Sequence, residues 1–324
     1  MSLVKISNLK KHFAIKSGFF NREIGSIKAL DGIDLEVQEG ETLGLVGESG
    51  CGKSTLGRVL LKLLPASSGK VEFMGRDMQG LSEAQMKEMR KNIQIVFQNP
   101  YASLDPRMTI RDILSEPFQV HGIASGAELN KKVDELISLV GLSVAMLDRY
   151  PHEFSGGQRQ RIGIARALAL RPKLIVADEP VSALDVSVQA QILNLLLDLK
   201  KEFNLTYLFI AHNLDVVRYI SDRVAVMYLG RVVEIGDCQA VYNKPLHPYS
   251  KALISAAPVP DPEYAQSDRI ILSGDLPSPA NPPSGCRFHT RCPIAQDKCK
   301  VDDPVLREIE PGHFSACHFA EDLV

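Results

Sequence analysis

The chain has 324 residues, of which 45% are hydrophobic and 23% are charged, a balance typical of a folded protein with a sizeable core. A net charge of −2 and the absence of Trp argue against a large basic surface and an aromatic stacking platform, so no nucleic-acid partner is expected. No apolar run approaches the roughly 18 to 20 residues that cross a bilayer, and no apolar segment follows the N-terminal lysines, so neither a spanning helix nor a signal peptide is predicted.

The first predicted elements are strands. Residues 4–37 alternate in polarity, with a break at the Gly-containing polar stretch around 17–25. A further strand at 41–46 runs into a glycine-rich loop. A helix is predicted over 54–64, because its apolar residues fall on one face. The glycine-rich loop therefore lies between a strand and a helix.

Farther along the chain, helical patterns alternate with short apolar strands. From about 99 to 153 the pattern is mostly helical, whereas 174–177 and 206–211 are apolar runs of the kind found in a parallel sheet covered on both faces. This alternation predicts an α/β fold with a parallel sheet. After about residue 245 prolines and glycines become denser, which predicts a linker and a small appended module.

The glycine-rich loop fits the P-loop pattern G-x-x-x-x-G-K-[ST]. Its glycines allow backbone N–H groups to point into one concavity, and the helix N-terminus adds its positive end. Lys53 supplies a positive charge for the β- and γ-phosphates, and the Ser54 hydroxyl is a ligand for Mg²⁺. The residues expected to bind Mg-ATP here are Gly47, Glu48, Ser49, Gly50, Cys51, Gly52, Lys53, Ser54 and Thr55.

A pair of acidic residues ends the apolar strand at 174–177. Asp178 is placed at the carboxyl edge of the sheet and is expected to hold Mg²⁺ through water. Glu179, one residue farther along, can polarise a water molecule for in-line attack. Two adjacent acids can also be an ordinary solvated strand end, but the P-loop in the same chain favours the catalytic interpretation.

Further motifs indicate a family. Residues 154–158 (Phe-Ser-Gly-Gly-Gln) resemble the signature of ABC transporter ATPases, with Phe where Leu is commonest, and they lie between the P-loop and the acidic pair as the family requires. The resemblance covers about residues 4–245. It implies an α/β fold, a P-loop NTPase cassette over 1–245 with a mixed or parallel sheet core, and a helical subdomain at about 99–160.

Several residues match functional positions of this family. The resemblance implies that Glu179 is the general base, that His212 contacts the γ-phosphate, and that Gln98 senses Mg²⁺ and the attacking water. Phe13 lies where the family places an aromatic ring against adenine, and Asp185 belongs to its D-loop. Each of these residue types, taken alone, is usually an ordinary surface or core residue, so its position relative to the motifs carries the assignment.

The signature segment precedes a helix predicted over 158–170, which makes it a second helix start suited to an anion. In this family two cassettes pair head to tail, and the signature of one closes over the ATP of the other. The resemblance therefore implies that each ATP site needs two chains. The signature residues expected to bind the partner's nucleotide are Ser155, Gly156, Gly157 and Gln158.

The C-terminal residues indicate which group of ABC transporter ATPases the chain resembles. His-Pro-Tyr at 247–249 and the segments at 273–279 and 283–288 resemble the extension of oligopeptide and dipeptide importer ATPases, and the chain most resembles the F-type subunit of dipeptide permeases. The extension would then span 246–324. Because relatives carry nickel or longer peptides, a nickel or other small-solute importer is the alternative.

The importer resemblance also implies partners and a location. Such systems usually pair two paralogous ATPase subunits beneath two transmembrane permease subunits, and an external peptide-binding protein captures the substrate; the sequence alone does not distinguish a heterodimer from a homodimer. The chain is then expected on the cytoplasmic face of the inner membrane as a peripheral subunit. Residues 99–110 and the helical stretch after them are the expected docking surface for the membrane subunit.

Four cysteines crowd the C-terminal extension, with the spacing C-x5-C-x6-C-x17-C. In a reducing compartment such a cluster favours metal binding over disulfides. The C-x₂₋₄-C pairs of structural zinc and the usual ferredoxin spacings are both missing, so spacing leaves the metal open. The family resemblance favours a [4Fe–4S] cluster, with zinc or no metal as alternatives. The proposed ligands are Cys286, Cys292, Cys299 and Cys317.

Two other classes of function fit the sequence less well. A soluble ABC ATPase that acts on DNA or ribosomes usually has long coiled coils or two cassettes in one chain, and this sequence has neither. A P-loop kinase has no need of the signature or of His212. An ATPase subunit of a peptide importer is therefore the favoured interpretation.

Overall fold

The computed structural model describes residues 2–17, 22–256, 270–272 and 274–323. They form two compact units, Met1–Gly80 with Ala211–Val324, and Leu81–Ile210. Residues 257–269 and Ser273, which belong to the predicted extension, lie outside the described residues. The division at 245 into cassette and extension remains a prediction.

Strands and helices are interspersed along the chain. The strands are β1 (Ser2–Ser17), β2 (Arg22–Gln38), β3 (Thr42–Val46), β4 (Ser68–Phe73), β5 (Arg76–Asp77), β6 (Ile93–Val96), β7 (Leu174–Asp178), β8 (Thr206–Ile210), β9 (Arg223–Tyr228), β10 (Arg231–Asp237), β11 (Arg307–Glu310) and β12 (His313–Ser315). The helices are α1 (Lys53–Leu60), α2 (Glu83–Met89), α3 (Ile110–Val120), α4 (Gly126–Leu139), α5 (Gly156–Leu168), α6 (Val186–Phe203), α7 (Leu214–Ile220), α8 (Cys238–Asn243), α9 (Pro248–Ser255) and α10 (Asp297–Val301).

The first unit contains an antiparallel sheet of order β2-β1-β4-β5. Its two long strands pair from Ser2 opposite Gln38 to Ser17 opposite Arg22, with several register shifts between them. The remaining strands of this unit are laid out differently. Strand β3 pairs in parallel with β9, and β9, β10, β12 and β11 follow as antiparallel neighbours. The C-terminal strands thus extend a sheet that also contains the strand leading into the P-loop.

The second unit has a parallel sheet in which β7 lies between β6 and β8. Every residue of β7 and β8 is buried, which agrees with their mostly apolar sequences; the exceptions are Asp178 at the end of β7 and Thr206 at the start of β8. The predicted α/β fold with parallel strands is confirmed. Helices α3, α4 and α5 pack on one another in this unit, where the sequence predicts a helical subdomain.

The helix after the P-loop is shorter than predicted. It ends at Leu60 rather than at residue 64, because Lys62 has a left-handed backbone with φ 53°. The N–H groups of Leu63 and Leu64 then bond back to the Arg58 carbonyl at 2.9 and 3.2 Å. The hydrophobic pattern continues past this turn, so the sequence gives no sign of the stop. None of the helices in the described ranges combines the length and hydropathy required to span a bilayer.

Candidate functional site

The P-loop joins β3 to α1 and owes its path to glycine. Gly52 has φ 108° and precedes the first turn of α1, and a Cβ at this position would lie 2.2 Å from the Ala29 carbonyl oxygen. An L side chain is disfavoured there both by the backbone angle and by this contact. The loop therefore presents its N–H groups at the start of a helix, as an anion site requires.

Lys53 lies folded over this loop. Its side chain is buried, and its Nζ donates hydrogen bonds to the carbonyl oxygens of Gly47 at 2.7 Å and Glu48 at 3.1 Å. The ammonium group is thus held at the loop, where it can exchange carbonyl partners for phosphate oxygens. Burial raises the pKa of the neighbouring Cys51 thiol, which keeps it neutral beside the lysine.

Phe13 lies on β1, in the same unit, opposite Ile27 of β2. Its ring is 36% exposed, which leaves a face for a planar ligand, and Lys11 Nζ lies 4.9 Å from the ring centroid. His12, the residue before Phe13, is hydrogen-bonded through its Nε2 to Asp31 Oδ1 at 3.0 Å. Although burial raises the pKa of Asp31, its bonds and charges with His12, Arg287 and Arg231 leave that pKa below its ordinary value.

The acidic pair ends β7 in the second unit. Asp178 is 4% exposed, and Glu179 has a left-handed backbone with φ 47°. Such a conformation costs a non-glycine residue free energy and is often found at functional sites. The Glu179 N–H donates to the Ile210 carbonyl at 2.9 Å, and this bond fixes the turn after the strand.

Gln98, which follows β6, contacts the predicted base. Its Nε2 donates a hydrogen bond to Glu179 Oε2 at 2.7 Å. The two residues are 81 positions apart and come together because β6 and β7 are neighbouring parallel strands. The second unit thus brings together two of the three residues predicted to be catalytic.

The signature residues form the start of α5. Ser155 caps this helix: its Oγ accepts the Gln158 N–H at 3.3 Å, and Gln158 Oε1 accepts the Ser155 N–H at 3.0 Å. This capping box holds the helix start in place. A Cβ on Gly157 would lie 2.5 Å from Val188 Cγ1 on α6, so the two helices pack closely here.

The remaining predicted positions lie at helix starts. Asp185 occupies the N-cap position of α6 but makes no capping hydrogen bond with its side chain, while His212 is exposed and precedes α7 in the first unit. The buried Phe154 replaces the usual leucine of the signature with another apolar side chain.

The chain matches two protein families. Residues 30–182 match the ABC transporter family, and residues 233–299 match the C-terminal region of oligopeptide and dipeptide transporters. The chain is 56% identical over 319 residues to the oligopeptide transport ATP-binding protein AppF of Bacillus subtilis, a match that covers 98% of this chain and 97% of the relative. It is 54% identical to OppF of Salmonella typhimurium, covering 94% of this chain and 92% of the relative.

The chain belongs to the ABC transporter family of ATP-binding proteins. Solved structures agree with this assignment. A dimeric ATP-binding cassette in a post-hydrolysis state with ADP and Pi has a TM-score of 0.64 and 31% identity, and the match covers 72% of this chain and 98% of that one. A part of the cbiONQ ABC transporter complex of Clostridium perfringens gives a TM-score of 0.64 at 29% identity, covering 75% and 91%. The predicted family, fold and ATPase activity are therefore confirmed.

The four cysteines of the C-terminal extension line one small pocket of this ABC protein, together with His289, His318 and several apolar side chains. Burial, with a smaller contribution from the neighbouring thiols, raises the pKa of Cys286 and of Cys317 to about 11 each. Across the described ranges, however, no group of three or more His, Cys, Asp or Glu side chains is arranged to hold a metal ion. The iron–sulfur cluster and its zinc alternative thus remain predictions.

The sequence missed two contacts of the P-loop. Glu48 is paired with Arg291, and its N–H donates to the Tyr249 hydroxyl, both from the C-terminal part of the chain. Tyr249 lies in the family's His-Pro-Tyr segment, so that motif was the available signal. No sequence signal pointed to the contact of Arg291 with Glu48, because the two residues are 243 positions apart.

Proposed function

We propose that this ABC protein hydrolyses Mg-ATP to power the import of oligopeptides or dipeptides through a membrane partner. The observation that carries the proposal is the bonded pair of Gln98 and Glu179, in a chain that also has a complete P-loop and is similar over nearly its whole length to oligopeptide transport ATP-binding proteins. The match of residues 233–299 favours peptides over nickel or another small solute.

Each candidate site residue has its own role in ATP binding or hydrolysis. Lys53 and the N–H groups of the P-loop bind the phosphates, and Ser54 and Asp178 hold Mg²⁺, which offsets the negative charge of the phosphates when bound. Glu179 accepts a proton from the attacking water, and Gln98 orients both that water and the carboxylate. His212 contacts the γ-phosphate, and Phe13 stacks on adenine.

A second cassette completes each ATP site. Ser155, Gly156, Gly157 and Gln158 offer the start of α5 to the nucleotide of a partner cassette. The capped helix start supports this role, because its first N–H groups are held in place by the Ser155–Gln158 box while the helix dipole favours an anion. We infer that the partner is a paralogous ATPase subunit, as in heterodimeric peptide importers.

The membrane subunits dock beside Gln98. Phe97 and Tyr101 are 37% and 61% exposed, so both aromatic side chains are accessible to a partner beside the loop that carries Gln98. The Tyr101 ring lies 3.8 Å from the Arg159 guanidinium carbon, and that guanidinium is anchored on the Pro151 carbonyl at 2.6 Å. A permease segment on this surface would contact the loop that carries Gln98. This docking places the chain on the cytoplasmic face of the inner membrane as a peripheral subunit.

The extension holds a [4Fe–4S] cluster. The donor set fits, since four thiols line one pocket whose other side chains are three histidines and several apolar residues, and iron–sulfur clusters are held by thiolates. Protein purified without oxygen should contain about four irons and four sulfides per chain, and Cys292→Ser should lose both, whereas the matched Cys238→Ser variant should keep them. One zinc per chain would favour the zinc alternative, and no metal would refute the cluster.

Uptake by cells tests the transport function. Cells that lack this chain should take up a labelled dipeptide or oligopeptide only when the wild-type chain is restored, and Glu179→Gln should not restore uptake. Nickel uptake measured in the same cells tests the alternative that the chain serves a nickel importer. Restored nickel uptake with unchanged peptide uptake would contradict the peptide assignment.

A further inference from the structure

The C-terminal part of the chain holds Glu48, the second residue of the P-loop, at two points. The Glu48 N–H donates a hydrogen bond to the Tyr249 hydroxyl at 2.8 Å. The Glu48 carboxylate accepts hydrogen bonds from both terminal nitrogens of Arg291, at 2.9 Å for the shortest and 3.2 Å for two others. Backbone and side chain of one loop residue are therefore fixed by two different segments.

The Arg291–Glu48 pair is shielded from water. The two side chains are 10% and 27% exposed, and the geometry is bidentate, which is the strong form of this interaction. Although burial lowers the pKa of Arg291, its hydrogen bonds to the Glu48 carboxylate and the charge of that carboxylate raise the pKa above its ordinary value. Removing one partner leaves a charge that is partly buried and unpaired.

Tyr249 is equally constrained. It is completely buried, and its ring lies 4.7 Å from that of Tyr228 and 5.5 Å from that of Phe288, measured between centroids. Its N–H donates to His247 Nδ1 at 3.1 Å, so the His-Pro-Tyr segment forms the capped start of α9. The hydroxyl therefore reaches the P-loop from a rigid helix end.

Arg291 projects from the turn that carries the cysteine pocket. Its N–H donates to the Phe288 carbonyl at 2.9 Å, and the turn is closed by a bond from the Cys286 N–H to the Cys299 carbonyl at 2.9 Å. Cys292 is the next residue. The folding of the cysteine pocket therefore sets where the guanidinium stands.

Glu48 also bears on phosphate binding directly. Its carbonyl oxygen accepts one of the Lys53 hydrogen bonds, at 3.1 Å. Its carboxylate adds a negative charge to a loop that binds a polyanion, and an unpaired carboxylate there repels the phosphates. Arg291 neutralises this charge.

We propose that Arg291 and Tyr249 are positioning residues for the P-loop, so that the C-terminal extension sets the affinity of this chain for ATP. The inference rests on the proposed function, because it assigns a role in ATP binding. The His-Pro-Tyr segment and the cysteine turn then act together, since both hold Glu48 in place and the turn also balances its charge.

The test is a double-mutant cycle on the full chain, read as the equilibrium binding of a fluorescent ATP analogue and as the KM and kcat of hydrolysis. Arg291→Met should weaken nucleotide binding and raise KM about tenfold, with kcat changed less than threefold. Adding Glu48→Gln should restore most of the loss, because the unpaired carboxylate is gone. Lys5→Met, which breaks an exposed ion pair with Glu36, is the control and should leave binding unchanged.

Tyr249→Phe removes one oxygen atom and keeps the packing, so it should fold and should weaken ATP binding several-fold. If Arg291→Met and Tyr249→Phe both bind nucleotide as the wild type does, the inference is wrong and the ATPase function stands. If the double variant binds nucleotide no more tightly than Arg291→Met does, the claim that Arg291 acts by balancing the charge of Glu48 is refuted. A wild-type chain that hydrolyses no ATP would instead refute the proposed function.

Discussion

Replacing Glu179 by Gln tests the assignment of the general base. The change keeps the shape of the side chain and the contact with Gln98, because the remaining amide oxygen can accept the hydrogen bond that Oε2 accepts at 2.7 Å. It removes the ability to take a proton from water. A positioned base contributes ~10²–10⁴-fold to the rate, which corresponds to about 3 to 5.5 kcal/mol of barrier.

The assay is phosphate release at saturating Mg-ATP, with nucleotide binding measured on the same preparation. We expect Glu179→Gln to bind ATP within about twofold of the wild type and to hydrolyse it at least ~100-fold more slowly. Glu202→Gln, which changes an exposed glutamate of the same unit, is the matched control and should hydrolyse ATP normally. A Glu179→Gln variant that keeps more than about a tenth of the wild-type rate would remove Glu179 from the role of base.

Three further predictions concern the first unit. Gly52→Ala should lower the free energy of unfolding in urea by about 1 to 3 kcal/mol more than Gly50→Ala does, because both glycines have positive φ but only a Cβ on Gly52 meets the Ala29 carbonyl. Equal free energies of unfolding for the two variants would contradict this. Phe13→Ala should weaken ATP binding by about 1 to 3 kcal/mol if its ring stacks on adenine, measured by titration with ATP against triphosphate alone. Asp31 has a lowered pKa in the folded chain, so its contribution is present above the ordinary Asp value and is lost as pH falls through its folded value. Between pH 5 and 3 the wild type should therefore lose more stability in urea than Asp31→Asn does, and parallel profiles would refute it.

The sequence predicted those parts of the site whose signals are local. The P-loop between β3 and α1 and the acidic pair after β7 each follow from a short run of residues in which glycine or apolar character is required. The proximity of Gln98 and Glu179 can also be predicted from sequence. Each residue follows the carboxyl end of a strand, and the ends of neighbouring parallel strands lie side by side.

The parts that could not be predicted depend on tertiary contacts or on backbone conformation. The pairing of Arg291 with Glu48 joins residues 243 positions apart, and no periodicity links them. The early end of α1 depends on the left-handed backbone of Lys62, whose side chain fits the helical pattern. The helix cap formed by the Ser155 hydroxyl, by contrast, has a local signal that the sequence analysis missed, because Ser155 and Gln158 fit the S-x-x-Q pattern of a capping box.

The most direct test of the central claim couples the two activities in one vesicle. The chain would be reconstituted with permease subunits and with the paralogous ATPase subunit that we propose as its partner. Mg-ATP would be supplied on the side that this chain faces, and a labelled peptide with a peptide-binding protein on the other side. Phosphate release and peptide uptake would be measured together. We predict that both depend on Mg-ATP and that Glu179→Gln in this chain sharply reduces both. Peptide uptake that continues at the wild-type rate without ATP, or with Glu179→Gln, would contradict the claim.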